Sequence, residues 1–409
     1  MEASSLRPEV RSLAEMKIPI GPQHPALKEP VGFMVNVEGE RIKSLDLDVS
    51  YNHRGIEKGV EQRDFNQALY LIERICGICS HAHATNFAKG VEELMNLEIP
   101  KRAAYIRLIV GELERIHSHY LWVGVAGHEI GFDTLFMYTW RDRELVQDLL
   151  EIISGNRVNY AINCLGGVRR DLNEKTIKLA LDHLKKLGER AAYYTQLATT
   201  EETMVDRLSG VGKLPYEKAK SLGSVGPTAR GSGVDSDVRR DDPYLAYPEV
   251  PFKVITANNC DVLGRTIVRA GELAQSIEMT KWALENLPPG EIKKAPPRSA
   301  PPGEVISRYE APRGELVHYI KSNNTDKADR FGVRTPTMAN WPSVVEGLTG
   351  QNIADIPIVV AAIDPCLSCT SRTTFVDIDR HKSWVWNWDE LRNYSIRWYK
   401  ENKGIYWGD

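Results

Sequence analysis

What the chain has little of narrows its function first. Six cysteines in 409 residues are too few for a disulfide scaffold. A chain this long can bury a core without staples. No apolar run reaches the ~18 residues needed to cross a bilayer. Residues 1–17 are charged and hold no continuous apolar stretch, which argues against a signal peptide. Basic excess is missing as well: 52 Lys and Arg stand against 55 Asp and Glu. A nucleic-acid binder would need a clear surplus of positive charge, so no such partner is expected. The absences describe a globular protein in the cytoplasm or facing it. Its length is roughly two to three domains' worth of chain, or one large body. Membrane attachment, if there is any, falls to partners.

The patterning that is present is mostly helical. Residues 18–30 are proline-rich and read as a loop. Residues 32–49 alternate around Glu38-Gly39-Glu40, which predicts a β-hairpin. After Arg54 the period changes. Helices are predicted over 61–75, 82–96, 101–125, 141–155, 173–198 and 258–286. Residues 209–250 are rich in Gly, Pro, Ser and Asp and are too long for a simple connection, so a functional or packing loop is expected there. The proline-rich stretch 286–304 reads as a loop between two lobes, and 305–335 as short strands. The expected class is mainly α with minor β: a central bundle of long helices with a small N-terminal antiparallel β element. The body divides into a β-rich part 18–52, a helical core 60–290 and a C-terminal lobe 303–372, behind a lead-in 1–17. Residues 373–409 form a C-terminal extension. Residues 370–409 carry Trp384, Trp386, Trp388, Trp398 and Trp407, too much aromatic surface to dangle, so the tail is expected to pack on something.

The cysteines are placed in two C-x-x-C pairs, Cys76/Cys79 and Cys366/Cys369, 287 residues apart from Cys79 to Cys366. Four thiolates close a soft-metal site. Zinc ribbons set their pairs about 15–20 residues apart, so this pairing needs the whole fold and puts the metal at its centre. A structural zinc, a redox dithiol and chance remain open on spacing alone. Cys164 and Cys260 read as ordinary buried thiols.

These residues carry a resemblance. Arg74-Ile75-Cys76-Gly77-Ile78-Cys79-Ser80-His81-Ala82-His83 resembles the R-x-C-G-x-C-x-x-x-H motif of nickel–iron hydrogenase large subunits. Asp364-Pro365-Cys366-Leu367-Ser368-Cys369-Thr370-Ser371-Arg372 resembles their D-P-C-x-x-C-x-x-[HR] motif. The segment from Glu310 through Arg313 and Gly314 to His318 resembles a third. GPQHPALKEP at 21–30, NHRGIEKG at 52–59 and GPTARGSGVDSDVRRDDPY at 226–244 are similar to membrane-bound, energy-converting hydrogenases and formate hydrogenlyases, a group related to the quinone-site subunit of respiratory complex I. That subunit lacks the four cysteines, so their presence favours a hydrogenase.

The resemblance implies a nickel–iron centre whose iron carries carbonyl and cyanide ligands. Cys76 and Cys366 would be terminal nickel ligands, and Cys79 and Cys369 the bridges. Arg313 would lie over the open metal face, Glu29 would relay protons, and His83 would donate to a bridging sulfur. Glu57 matches a carboxylate near the C-terminal segment that sometimes holds a hard cation such as magnesium. Each has a plainer alternative: Glu29 a surface carboxylate, Arg313 a loop arginine in a salt bridge, Glu57 a partner of Arg54 or Lys58. His81, His117, His119 and His128 are read as packing or surface histidines. The chain has no further cysteine set for a cluster, so an iron–sulfur small subunit is implied. Complex I-like membrane subunits are implied too, with ferredoxin or a formate dehydrogenase subunit as electron donor. So are metal chaperones and a maturation protease cutting after Arg372. The place implied is peripheral, at the cytoplasmic face of the membrane. The competing activities are reduction of sulfur compounds or quinone by a related complex without nickel, and a structural zinc protein.

Overall fold

The computed structural model describes residues 15–370 and 388–404. Three antiparallel strands come first: β1 Glu15–Ile20, β2 Gly32–Glu38 and β3 Arg41–Asp48, in the order β1-β2-β3. The β2–β3 hairpin is the predicted one, and Phe33, Val35 and Val37 turn their alternate side chains into the core. The strand β1 starts inside the expected lead-in and pairs Ile18 with Val35.

Three helices follow, α1 Ile56–Glu61, α2 Phe65–Ile72 and α3 Ser80–Leu94. The single helix expected over 61–75 is therefore two. Asp64 causes the break: its carboxylate accepts the amides of Asn66 and Gln67 at 3.0 and 2.9 Å and starts α2 afresh. Then come α4 Lys101–Glu129 and α5 Asp133–Ser154, a two-residue hairpin β4 Asn163–Cys164 with β5 Gly167–Val168, and α6 Glu174–Thr200. The central helix is α4, which buries 22 of its 29 residues. A helix buried nearly all round must be enclosed by others, and α3, α5 and a later helix over Val262–Glu285 pack on it. Of the buried charges on α4, Arg107 grips Glu92 of α3 at 2.6 and 2.8 Å and also donates to the Cys164 and Gly167 carbonyls, while Glu114 accepts the amides of His81 and Ala82 at 2.7 and 3.0 Å.

The 209–250 stretch is not bare loop. It holds α8 Tyr216–Ser221, α9 Gly226–Arg230 and α10 Val238–Asp241, after α7 Glu202–Leu208. The long α11 Val262–Glu285 returns through the core. The proline-rich segment after it runs along β5, where Val168 donates to the Ile292 carbonyl. Its prolines are half-buried or exposed. A meander β6 Gly303–Ala311, β7 Gly314–Ser322 and β8 Ala328–Arg334 follows, with strands longer than expected. Along β7 every second residue is buried, and α3 crosses the β6–β7 face at Gly90, where a Cβ would meet Ile320 at 2.8 Å.

The body closes with α12 Pro336–Leu348 and α13 Ile356–Ala362. On the last helix, α14 Trp388–Lys403, the side chains of Tyr394, Trp398 and Tyr399 are exposed rather than packed on the chain. Trp384, Trp386, Trp407 and the expected cut after Arg372 lie outside the described residues. Cys164 and Cys260 are half-buried rather than core thiols.

Candidate metal centre

Two tight turns bring the cysteine pairs together. The first follows α2. A 3-10 turn over Glu73–Ile75 leads into Cys76, and Cys79 is the residue capping α3. The Cys76 sulfur accepts the amides of Ile78 and Cys79 at 3.4 and 3.3 Å. Amides at a helix N-terminus favour a thiolate. A hydrogen bond from the Cys79 thiol, opposed by burial and helped by Arg313, brings Cys76 down to about 7. That same bond, together with burial, holds Cys79 well above the usual thiol range.

The second turn follows α13. Asp364 adopts a φ of 55°, a left-handed conformation that short polar side chains tolerate best, and Pro365 then redirects the chain. Thr337 accepts the Cys366 amide at 3.1 Å, and Thr335 donates to the Cys369 carbonyl at 3.4 Å. The outcome is a cluster of four sulfurs. Cys366 Sγ lies 3.1 Å from Cys76 Sγ, and those of Cys76, Cys79 and Cys369 fall within 4.8 Å of one another. All four residues are buried. Cys366 and Cys369 stand in disulfide contact, and four-thiolate ligation requires that pair reduced.

Arg313 occupies the two-residue turn between β6 and β7, since Ala311 pairs with Gly314. Its Nε and Nη2 donate to the Asp364 carbonyl and carboxylate at 2.7 and 2.9 Å, and Nη1 to Ser118 at 3.3 Å. Burial opposes its charge, but Asp364 and the Cys76 and Cys79 thiols more than offset this, so the guanidinium stays charged. Glu29 reaches the second pair from the proline-rich loop. Its carboxylate accepts both the amide (2.9 Å) and the hydroxyl of Ser368. A cavity of about 340 Å³ opens beside Cys76, Cys366 and Arg313. Glu29 lines this cavity and also an outer groove containing His24.

The remaining expected residues divide. Glu57 lies in a separate groove of about 160 Å³ that reaches Cys369, and accepts the Val333 amide at 2.8 Å. His83 departs from expectation. Its Nδ1 lies 3.2 Å from His318 Nε2 with the rings stacked, and its Nε2 has no hydrogen-bond partner. No donation to sulfur is made, because the ring is drawn onto β7 instead. Burial takes His83 down to about 3, so it is neutral. His81, His117 and His119 are fully buried and His128 is on the surface, in keeping with packing and surface roles.

Sequence reasoning missed two contributors. Ser368 was a spacer between ligands, yet it links Glu29 to the second pair. Ser118, which supports Arg313, is one polar residue on a helix with many. Only the position of Ser368 inside the C-x-x-C could have pointed to it.

The sequence matches the family described as nickel-dependent hydrogenase over residues 54–123. It matches the respiratory-chain NADH dehydrogenase 49 Kd subunit family over 129–302 and 297–372. Membrane-bound hydrogenase subunit alpha of Pyrococcus furiosus is 44% identical over 88% of this chain and 88% of its own length. The chain belongs to the nickel–iron hydrogenase large-subunit family, in its complex I-related group. Within that group, formate hydrogenlyase subunit 5 of Escherichia coli is 37% identical over 93% of this chain and 67% of its own. The solved membrane-bound sulfane sulfur reductase, an archaeal respiratory membrane complex, contains a chain that superposes with a TM-score of 0.83. It is 28% identical and covers 90% of this chain and 100% of its own. As a large-subunit relative, the chain has the family's mainly helical fold with small antiparallel sheets. Among the described residues no helix is long and apolar enough to cross a membrane. The residues present fit the family's metal group: four soft, buried donors, one already favoured as thiolate, under a fixed guanidinium.

Proposed function

We propose that this chain is the catalytic large subunit of a membrane-bound nickel–iron hydrogenase complex that interconverts protons and dihydrogen. The observation that carries the reading is the meeting of four cysteine sulfurs from both ends of the chain at one buried point beneath Arg313. Cys76, Cys79, Cys366 and Cys369 would hold nickel and an iron with carbonyl and cyanide ligands. That centre supplies the two-electron chemistry on dihydrogen when bound.

The chain's own residues do the rest. Arg313, locked by Asp364, presents a fixed positive charge in a dry site, where it polarises more strongly than in water. The Ser368 hydroxyl holds Glu29 in place, and Glu29, facing both the inner cavity and the outer groove, would take up a proton on one side and release it on the other. Leu27, Trp122, Val125, Trp140 and Val360 wall the cavity and exclude water. Glu57 would hold a hard cation such as magnesium in its own groove.

Electrons would come through an iron–sulfur small subunit from ferredoxin or a formate dehydrogenase subunit. Ion translocation would take place in complex I-like membrane subunits, with this chain peripheral at the cytoplasmic face. Metal chaperones and a maturation protease would load the site.

Metal content per chain, with an infrared spectrum of the native complex from nickel-replete cells, tests this. Nickel with carbonyl and cyanide bands is the expected result. Zinc, or no metal and no bands, overturns it. The likeness to the sulfane sulfur reductase favours a sulfur-reducing relative as the second reading, and that second result promotes it.

A further inference from the structure

The side chain of Arg54 touches both cysteine-bearing segments. Its Nη1 donates to the Arg74 carbonyl at 2.7 Å, and its Nη2 to the carbonyls of Ile75 and Ser368 at 2.8 and 3.1 Å. Ile75 immediately precedes Cys76, and Ser368 immediately precedes Cys369. Three carbonyl oxygens, two from one segment and one from a segment 314 residues away, need donors diverging in one plane. A guanidinium offers that and an ammonium does not. The origin of the side chain is fixed as well. Gly55 next to it starts α1 with a φ of 63°, a conformation that keeps a glycine there.

Ser368 is held from its other side too. Glu29 accepts its amide and hydroxyl while Arg54 takes its carbonyl. All of these bonds are made by protein atoms. One side chain thus ties the carbonyls that immediately precede Cys76 and Cys369.

We infer that Arg54 is a positioning residue that clasps the two cysteine pairs together before any metal enters. The inference deepens the proposed hydrogenase reading, but its main test does not depend on nickel. The full-length chain is made without nickel, fully reduced, then mildly oxidised with diamide. Diamide takes two electrons and two protons from a pair of thiols as one S–S bond forms, and is itself reduced to the hydrazine. Peptide mapping gives the ratio of the cross-pair Cys76–Cys366 disulfide to the within-pair Cys366–Cys369 disulfide. Rescue by methylguanidinium separates a positioning role from a loss of stability alone.

In R54K and R54A the ratio is expected to fall, because the Ile75 and Ser368 carbonyls are no longer held by one planar group. Methylguanidinium is expected to restore it in R54A and not in R54K. An unchanged ratio in both variants overturns the clasp. So does a fall that methylguanidinium leaves untouched while the chain melts early, which would mark a folding defect. In the native complex R54K should also hold about 10–100-fold less nickel at limiting supply. If the wild-type complex holds none, the hydrogenase reading fails while the disulfide ratio still decides the clasp.

Discussion

At the residue scale the site depends on small polar groups joined to conspicuous ones. Cysteines announce themselves by spacing, and Glu29 and Arg313 through the segments that carry them. Ser368 has only its place inside the C-x-x-C to mark it, and what that place does shows once the fold sets Glu29 against it. His83 shows the reverse: its motif was visible, but its ring partner, His318, lies 235 residues away, beyond local pattern. Removing the titratable oxygen in Glu29→Gln keeps the shape and the Ser368 contact but blocks proton acceptance. Hydrogen evolution and hydrogen–deuterium exchange should drop about 10²–10⁴-fold at unchanged nickel content. A rate within twofold of wild type would remove Glu29 from the path. Arg313→Lys loses the paired contacts to the Asp364 carbonyl and carboxylate. It should cost about 10²–10³-fold in turnover, measured in the same assay, again with nickel retained.

Elements are legible in the sequence in proportion to their period and length. Of these, α4, α6 and α11 repeat an apolar face over many turns, so their existence was clear, while α5 was seen from its second half only. The short α8, α9 and α10 have too few turns to show a period, and a Gly- and Ser-rich composition hides them. Their packing is tertiary. Gly226 at the start of α9 lies against the Arg313 turn so closely that a Cβ on Gly314 would meet Gly226 backbone at 2.7 and 2.8 Å, and Gly314 itself has a φ of 126°. Gly314→Ala therefore combines overpacking with backbone strain and should destabilise the chain by about 2–4 kcal/mol. It should also displace Arg313 and lower turnover. Gly131→Ala is the comparison, since Gly131 has a φ of 86° and no atom within 4 Å of an added Cβ. Strain alone should cost it about 1 kcal/mol, with turnover unchanged. Equal melting temperatures for the two variants would show that the α9 contact does not hold the turn.

The whole molecule responds to pH through buried groups spread over several elements. Burial lowers His81 and His83 to about 3, and it also lowers His117, His119 and His318. Unfolded, each titrates near 6.5. Their folded values are depressed, so the stability they contribute is present above about pH 6.5 and is lost as pH falls. Three carboxyls act in the opposite sense. Burial raises Glu73 and Glu310 to about 7 and Glu114 to about 8. Raised folded values give stability that is full below about 4.3 and is lost as pH rises through 7 to 8. Each group changes stability by about 1.4 kcal/mol per pH unit within its window. Five histidines against three carboxyls leave a net loss on acidification between about 6.5 and 4.3. Below about 4.3 the carboxyls stop compensating. There Glu112 and Glu272 begin to lose as well, because their partners, Arg115 and Arg239 for one and Arg230 and His119 for the other, hold them low against burial. The urea midpoint of the purified chain should therefore peak near pH 6.5, fall steeply towards about 4.3, and fall faster still below it. A midpoint that stays flat from 6.5 to 4 would mean that the buried histidines are already satisfied as cations, and the neutral His83–His318 pair would have to be reassigned.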